Sequence, residues 1–554
     1  MTMRAWFPHA ALAVAVFAFA AQGIGYRALW QDEIETAERA RTVLESGVPR
    51  IIDRSGELSV NWGGYELDQG VVHRYNTWGQ FYAAAVGLGL GRALGADPDA
   101  AVRSPFVAAH AATAGLVSYG LASFAGVSVP VSVAAGAVVA LQTPRLVHNR
   151  TARYHAMLDA LALLGLVGLG AWRLGSRWGP WALVLALFAL PHTHIFGGIV
   201  LALGLSVLGL WVSICRAGGD RRAVVRDAIL YIGVPGLLSL IALVLLVRPW
   251  RYGAMGGTLA IEPARLLSLH SVANMRHLGY AGGAIVVGLV TLLYARRRDA
   301  LVALAGATAV MVLAIRVLDF NALTQAWAWR YYLAAPLLAL FWPIALGLDG
   351  LTRAARNAVA LATCLVAVAP ELPSPSGQAA FPPFWGMRLV LSDRAHDRAG
   401  DTQPLHRAME TIRQRAQPGD PIAVDYVPQY VPWYLRGHPT ALVPDPVGRH
   451  AANRDNPVWA RPMLFPRWHL RYTQWPNGTW FCAPGCDYVW SGDLRHGRYE
   501  LTSRTLKRTE PFCIHGVWPT NPWNNSPPLN YQPAALTPEG TIDGALILGG
   551  PCSG

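Results

Sequence analysis

The apolar positions of this chain fall in long runs rather than on one stripe or in alternation. Runs near 7–25, 102–123, 127–146, 157–174, 180–195 and 197–215 reach or approach the roughly 20 residues that cross about 30 Å of hydrocarbon. Five more lie near 228–247, 279–295, 300–317, 331–348 and 357–370, after which Pro, Trp, Asn and Asp take over. The first run ends without an Ala-x-Ala type cleavage site and reads as a retained anchor. One further stretch, Asn76 to Gly95, is apolar enough to span, and counting it would reverse the orientation of everything after it.

Composition agrees with a chain that lives in lipid: of 554 residues, 53% are hydrophobic and 14% charged, against roughly 25% charged in a soluble chain. A soluble protein is excluded. The net charge of +13 is almost all arginine, Lys507 being the only lysine, and it gathers at the ends of apolar runs, so no nucleic-acid partner is expected. Arg173 and Arg177, the cluster Arg216, Arg221, Arg222 and Arg226, the triplet Arg296, Arg297 and Arg298, and the pair Arg353 and Arg356 all belong on the cytoplasmic side. With Arg4 also inside, the parity requires that 76–95 lie at the interface without crossing. The expectation is about 11 spans, a cytoplasmic amino terminus and an exported carboxyl-terminal part.

The outer face then collects the loop 26–101, a short loop at His148 to Tyr154, the turn Pro191-His192-Thr193-His194, the loops Arg248 to Leu278 and Asp319 to Trp329, and the tail from about 371. Arg103, Arg150, Arg153, Arg276 and Arg330 run against the positive-inside trend here. They either meet a substrate anion or snorkel to lipid phosphates.

Cys215 and Cys364 fall within or at the ends of spans and read as small apolar residues. Cys482, Cys486, Cys513 and Cys552 lie in the exported tail, where up to two disulfides can form in a pairing that spacing does not fix. A zinc site using His515 is the rival, but Cys482-Ala483-Pro484-Gly485-Cys486 has the wrong spacing for a ribbon. Gly419 to Asp425 followed by Tyr430 to Tyr434 reads as turn, strand and helix, the start of a small α/β domain. Its Trp-, Pro- and Asn-rich remainder, 451–554, fits either a sugar-contacting surface or Pro-rich loops packed by Trp.

The chemistry concentrates in the first outer loop. Leu29-Trp30-Gln31-Asp32-Glu33 opens an amphipathic helix that runs to Glu45-Ser46-Gly47. Alone, such an acidic pair is a helix cap. Here it follows a span directly and precedes a polar loop, a non-crossing helix, and Arg103-Ser104-Pro105 at the next span. This order resembles the GT-C class of polyprenyl-phosphate-sugar-dependent glycosyltransferases, in the group of protein O-mannosyltransferases and lipid A aminoarabinose transferases. Val72 to Trp78, Arg153-Tyr154-His155-Ala156-Met157-Leu158-Asp159, and Arg330-Tyr331-Tyr332 through Pro336 stand at matching places. The resemblance covers about residues 1–350 and lies in the ordered set, each motif being weak alone.

It implies a polytopic α-helical membrane protein of GT-C type with juxtamembrane helices. Residues 1–370 would form the catalytic module, with 26–101 its first extracytoplasmic loop, and 371–554 an exported α/β domain. The implied catalytic base is Asp32 with Glu33 as partner, and the second acidic residue is Asp159. Independently, sugar transfer from a polyprenyl phosphate needs a carboxylate to accept the acceptor's proton and positive charge where the phosphate leaves. Arg103, Arg150, Arg153, Arg276, Arg330 and Tyr331 are the donor-phosphate candidates. One base and one leaving group suffice for a single displacement with inversion. Asp159 lies inside a span, where an unpaired carboxylate would cost several kcal/mol, which points to function; its structural alternative is a buried partner of an arginine such as Arg153.

His73, Tyr75, His192, His194 and His270 are candidate substrate contacts. Some members of the group bind a divalent metal near the phosphate, which would be the one cofactor implied; some carry an acidic residue near the place of His73, from which this chain departs, so no metal ligand is assigned. The expected partners are a polyprenyl-phosphate-linked sugar donor, membrane lipids, and a glycan, lipid or protein acceptor, at a bacterial inner membrane by the arginine-rich, lysine-poor composition. Two other classes compete. A lipid-linked sugar transporter or flippase would show paired, broken repeats, which are not found. A non-catalytic glycan-binding envelope protein would tolerate loss of Asp32 and Asp159 but not of the tail. An oligosaccharyltransferase is disfavoured because its Trp-Trp-Asp-Tyr-Gly signature is absent.

Overall fold

The structure is a computed structural model that describes residues 6–54, 59, 72–74, 76–247, 276–318, 342–368, 385–402, 429–438, six short strands after residue 421 and isolated positions at 406–418. It is mostly helical, and among the described residues its helices begin with α1 Phe7–Ala20, α2 Gln31–Ser46, α3 Gly79–Leu94, α4 Pro98–Phe124, α5 Val129–Leu141, α6 Thr143–Asn149, α7 His155–Arg173, α8 Gly179–Thr193 and α9 Ile195–Ala217. A continuous helix Arg221–Val247 follows, then Arg276–Tyr294, Arg298–Leu318, Arg353–Val368 and Trp385–Ala399. Among the described residues α4, α7, α9 and Arg221–Val247 are long and apolar enough to cross a membrane, and shorter apolar helices accompany them. The protein is a multi-pass membrane protein.

The chain folds into two compact units. The first comprises residues 1–24, 76–87 and 103–394. Its core is a bundle in which Leu163, Leu166, Leu183, Leu205, Leu208, Phe124 and Trp342 pack together. Helix α7 sits inside it, with 78% of its apolar stretch buried, whereas Arg221–Val247 has 17% buried and so presents its apolar side chains outward, as a lipid-facing helix does. Helices α8 and α9 close on each other at Gly198, where a Cβ would lie 2.0 Å from the Leu190 carbonyl oxygen. At one end Arg173 and Arg297 share Asp349, at 2.6 and 3.4 Å, and Arg216 donates to the Trp172 carbonyl at 2.6 Å. The positive-inside pattern requires these three arginines on one side, and the fold puts them together.

One run expected as a simple span and one expected turn differ in the structure. The run 127–146 is not one helix: α5 ends at Leu141, and Gln142 (φ −52, ψ 129) breaks the chain before Pro144 opens α6. The outer turn expected at Pro191 to His194 is almost all helix, α8 continuing through Thr193 and leaving only the extended His194 as a link.

The second unit comprises residues 25–75, 88–102 and 395–554. Within it, pieces of the first loop pack with the tail. Helix α2 ends on Gly47, whose φ of 78 is the left-handed conformation that glycine adopts without a Cβ penalty. Of the expected turn, strand and helix, the strand appears as β1 Ile422–Val424 and the helix as Tyr430–Tyr434, while 419–421 lie outside the described residues. Strands β2 Trp468–Thr473, β3 Arg498–Ser503, β4 Cys513–Val517, β5 Thr537–Ile542 and β6 Ala545–Gly549 complete a six-stranded sheet in the order β1-β2-β3-β4-β6-β5. Only β1 and β2 run parallel. Cys513 lies in β4, while Cys482, Cys486 and Cys552 lie outside the described residues.

Candidate functional site

In the second unit, the acidic pair that opens α2 divides its work. Glu33, buried, accepts the backbone N–H of Trp30 through Oε2 at 3.2 Å, satisfying a donor that the helix end leaves without a partner. Asp32 is half-buried on the first turn, and its carbonyl accepts the Thr36 hydroxyl at 3.0 Å. Farther along α2, buried Arg39 donates to the carbonyls of Arg50 (2.7 Å) and Ser59 (2.6 Å) and to His73 Nδ1 (3.2 Å). His73 Nε2 lies 3.3 Å from Glu35. Both ring nitrogens are thus engaged, which does not suit His73 as a metal ligand, and Arg39 fixes its neutral tautomer. Arg41 meets Glu38 (2.8 Å), Asp53 (2.7 Å) and Glu45 (3.2 Å). Burial alone would lower its pKa; these carboxylates outweigh that and raise it. The polar face of α2 is therefore a scaffold that ties down the loop after it.

In the first unit, Asp159 is buried on α7, and its partner is Arg145 on α6, at 2.5 Å, with Asn149 Nδ2 at 3.3 Å. Asn149 also reaches His110 Nδ1 at 3.0 Å. The arginine expected from the sequence as the alternative partner is Arg153; Arg145, the one found, lies inside the run expected as a single span. The signal was present in Gln142-Thr143-Pro144-Arg145, since proline is favoured at the first turn of a new helix. Arg153 instead lies 5.4 Å from the centre of the Tyr154 ring. That ring stacks on His194 at 4.0 Å and leans on His155 at 4.2 Å, and His155 lies 5.1 Å from His148. Burial, and then His155, hold the His148 imidazole well below its usual range. His194 Nδ1 caps α9 by accepting the Gly197 N–H at 2.9 Å, whereas His192 belongs to α8.

Two donor-phosphate candidates hold the chain itself. Arg103, 5% exposed, donates to the Ile24 carbonyl at 2.8 Å. Arg150 spreads its guanidinium over the carbonyls of Ala20 (2.9 Å) and Gln22 (2.7 Å) and over Asp393 (2.9 Å), a residue that the sequence reading did not single out. Buried carbonyls require donors, and these arginines supply them. Arg276 is the first residue of its helix. Tyr75, His270, Arg330 and Tyr331 lie outside the described residues. Among the described residues no three His, Cys, Asp or Glu side chains converge as a metal site requires.

No protein family and no curated protein matches the chain. Among solved structures it is similar to ArnT from Cupriavidus metallidurans. The match is 15% identical with a TM-score of 0.42 for the crystal structure bound to undecaprenyl phosphate, and 14% identical with 0.45 for the apo crystal structure. Each match covers 84% of this chain and 92% of that chain.

Proposed function

We propose that the protein is an integral-membrane glycosyltransferase that takes a monosaccharide from a polyprenyl phosphate and transfers it, outside the cytoplasmic membrane, to a hydroxyl of a glycan, lipid or protein. The observation that carries this reading is the division of labour at the start of α2. Glu33 caps the helix, while Asp32, partly buried, stands beside it on the first helical turn, directly after the first apolar helix in the sequence.

In the proposed reaction Asp32 takes the proton as the acceptor oxygen attacks the anomeric carbon. The new C–O bond forms while the bond to the phosphate oxygen breaks. The electron pair leaves with the polyprenyl phosphate, and the configuration inverts. Charge for the leaving phosphate falls to the outer arginines Arg103, Arg150, Arg153, Arg276 and Arg330, with Tyr331. The carrier we propose, decaprenyl or undecaprenyl phosphate, is of the kind bound by the ArnT crystal structure.

The test begins with a deletion strain, in which a lipid-linked monosaccharide should accumulate and one surface glycan, lipid or protein should lose a sugar. Extracts of that strain supply both donor and unmodified acceptor. With them, Asp32→Asn should lower the transfer rate by about 10²- to 10⁴-fold, the range of general-base catalysis. An unchanged lipid and glycan profile would overturn the reading; a variant that keeps most of its rate would overturn the base assignment.

A further inference from the structure

Within the second unit, the chain entering α2 is gripped at one residue, Leu29, by two tyrosines one helical turn apart. The Leu29 N–H donates to the Tyr434 hydroxyl oxygen at 2.9 Å, and its carbonyl accepts from the Tyr430 hydroxyl at 2.8 Å. The Tyr434 hydroxyl in turn donates to Asp99 Oδ2 at 2.7 Å. That carboxylate also takes Trp433 Nε1 at 2.9 Å and His406 Nε2 at 3.1 Å. Leu29 and Tyr430 are 0% exposed and Asp99 3%, so each of these groups would cost about 1–3 kcal/mol if left without a partner. Burial, then Asp99, push the Tyr434 hydroxyl well above its usual range, which keeps it protonated as the donor.

None of this chemistry is consumed by the reaction proposed above, yet it acts three residues before the base. After Leu29 comes Trp30, the residue at the helix boundary, whose N–H is held by Glu33 and whose carbonyl accepts from Glu33 and Ile34 at 2.9 Å. The backbone from Leu29 to Ile34 is therefore fixed at both ends, and Asp32 lies between them.

We propose that Tyr434 is a positioning residue: with Tyr430 and Asp99 it fixes how the chain enters α2 and so where the Asp32 carboxylate stands against the acceptor hydroxyl. The proposal rests on Asp32 being the base. A misplacement of about 1 Å can cost on the order of 10²-fold in rate, so loss of one hydroxyl here acts on turnover rather than on donor affinity.

The experiment uses the full-length protein in detergent, with donor and acceptor extracted from the deletion strain. Tyr434→Phe and Asp99→Asn are compared with Asp32→Asn, and rates are normalised to folded protein. The expected result is a kcat lowered by about 10- to 100-fold in both clamp variants with the donor KM unchanged, together with faster hydrogen exchange at residues 29–36. A role confined to stability would lower the melting temperature and leave kcat per folded molecule alone. If Tyr434→Phe does not fold, Asp99→Asn and Tyr430→Phe carry the test. An inactive Asp32→Asn beside clamp variants of wild-type kcat overturns the positioning role alone. An active Asp32→Asn overturns the base assignment and the positioning role with it.

Discussion

Adjacent residues of the same chemical type end in different work here, and sequence position does not tell them apart. Glu33 caps while Asp32 stays half-exposed; Arg153 lies beside Tyr154 while Arg150 binds Asp393 and two carbonyls. The motif from Arg153 to Asp159 was legible because its residues are contiguous, but Arg145, fourteen positions before Asp159, was not, because pairing across a helix break has no local signature. Breaking the buried Arg145–Asp159 pair from one side strands a charge. Arg145→Met or Asp159→Asn alone should destabilise the protein by about 3–5 kcal/mol, and the double substitution by clearly less, as thermal unfolding in detergent would show. His148 gives a pH counterpart. Its folded-state pKa is depressed, so its neutral form contributes stability fully above about 6.5, the unfolded value. That contribution declines as pH falls below this value. Melting temperature against pH should drop on that acid limb, and His148→Gln should flatten it.

At the scale of elements, the apolar runs located most helices to within a few residues, since hydrocarbon thickness leaves so few ways to satisfy a buried backbone. What they misjudged were the joints. Gln142-Thr143-Pro144 divides one expected span into α5 and α6, and Pro191 did not end α8, which runs on to Thr193. Both joints carry polar residues, His148 and Asn149 at the end of α6 and His192 and His194 around the link to α9. The α8–α9 joint depends on a bare backbone at Gly198. Leucine there must push against the Leu190 carbonyl and should cost about 1–3 kcal/mol or more, read as a lower melting temperature together with weaker protection of α8 in hydrogen exchange.

Across the whole molecule, composition changes once, at about residue 370, whereas the compact units are interleaved along the sequence: residues 25–75 and 88–102 belong with 395–554. Composition reports the solvent each segment meets, and carries no record of which segments bind each other over long separations. Truncation after residue 394 should therefore expose the first loop, and limited proteolysis should cut between Tyr26 and Arg54 far faster than in the full chain. The grip on Leu29 also sets an order in time. Its partners lie 405 and 401 positions away, and Asp99 waits 307 positions for His406. At about 5–20 residues per second of synthesis, an early loop spends roughly 15–80 s before its partners emerge. During biogenesis that loop is client material for whatever guards nascent chains, and its entry into α2 is fixed only when the late partners arrive.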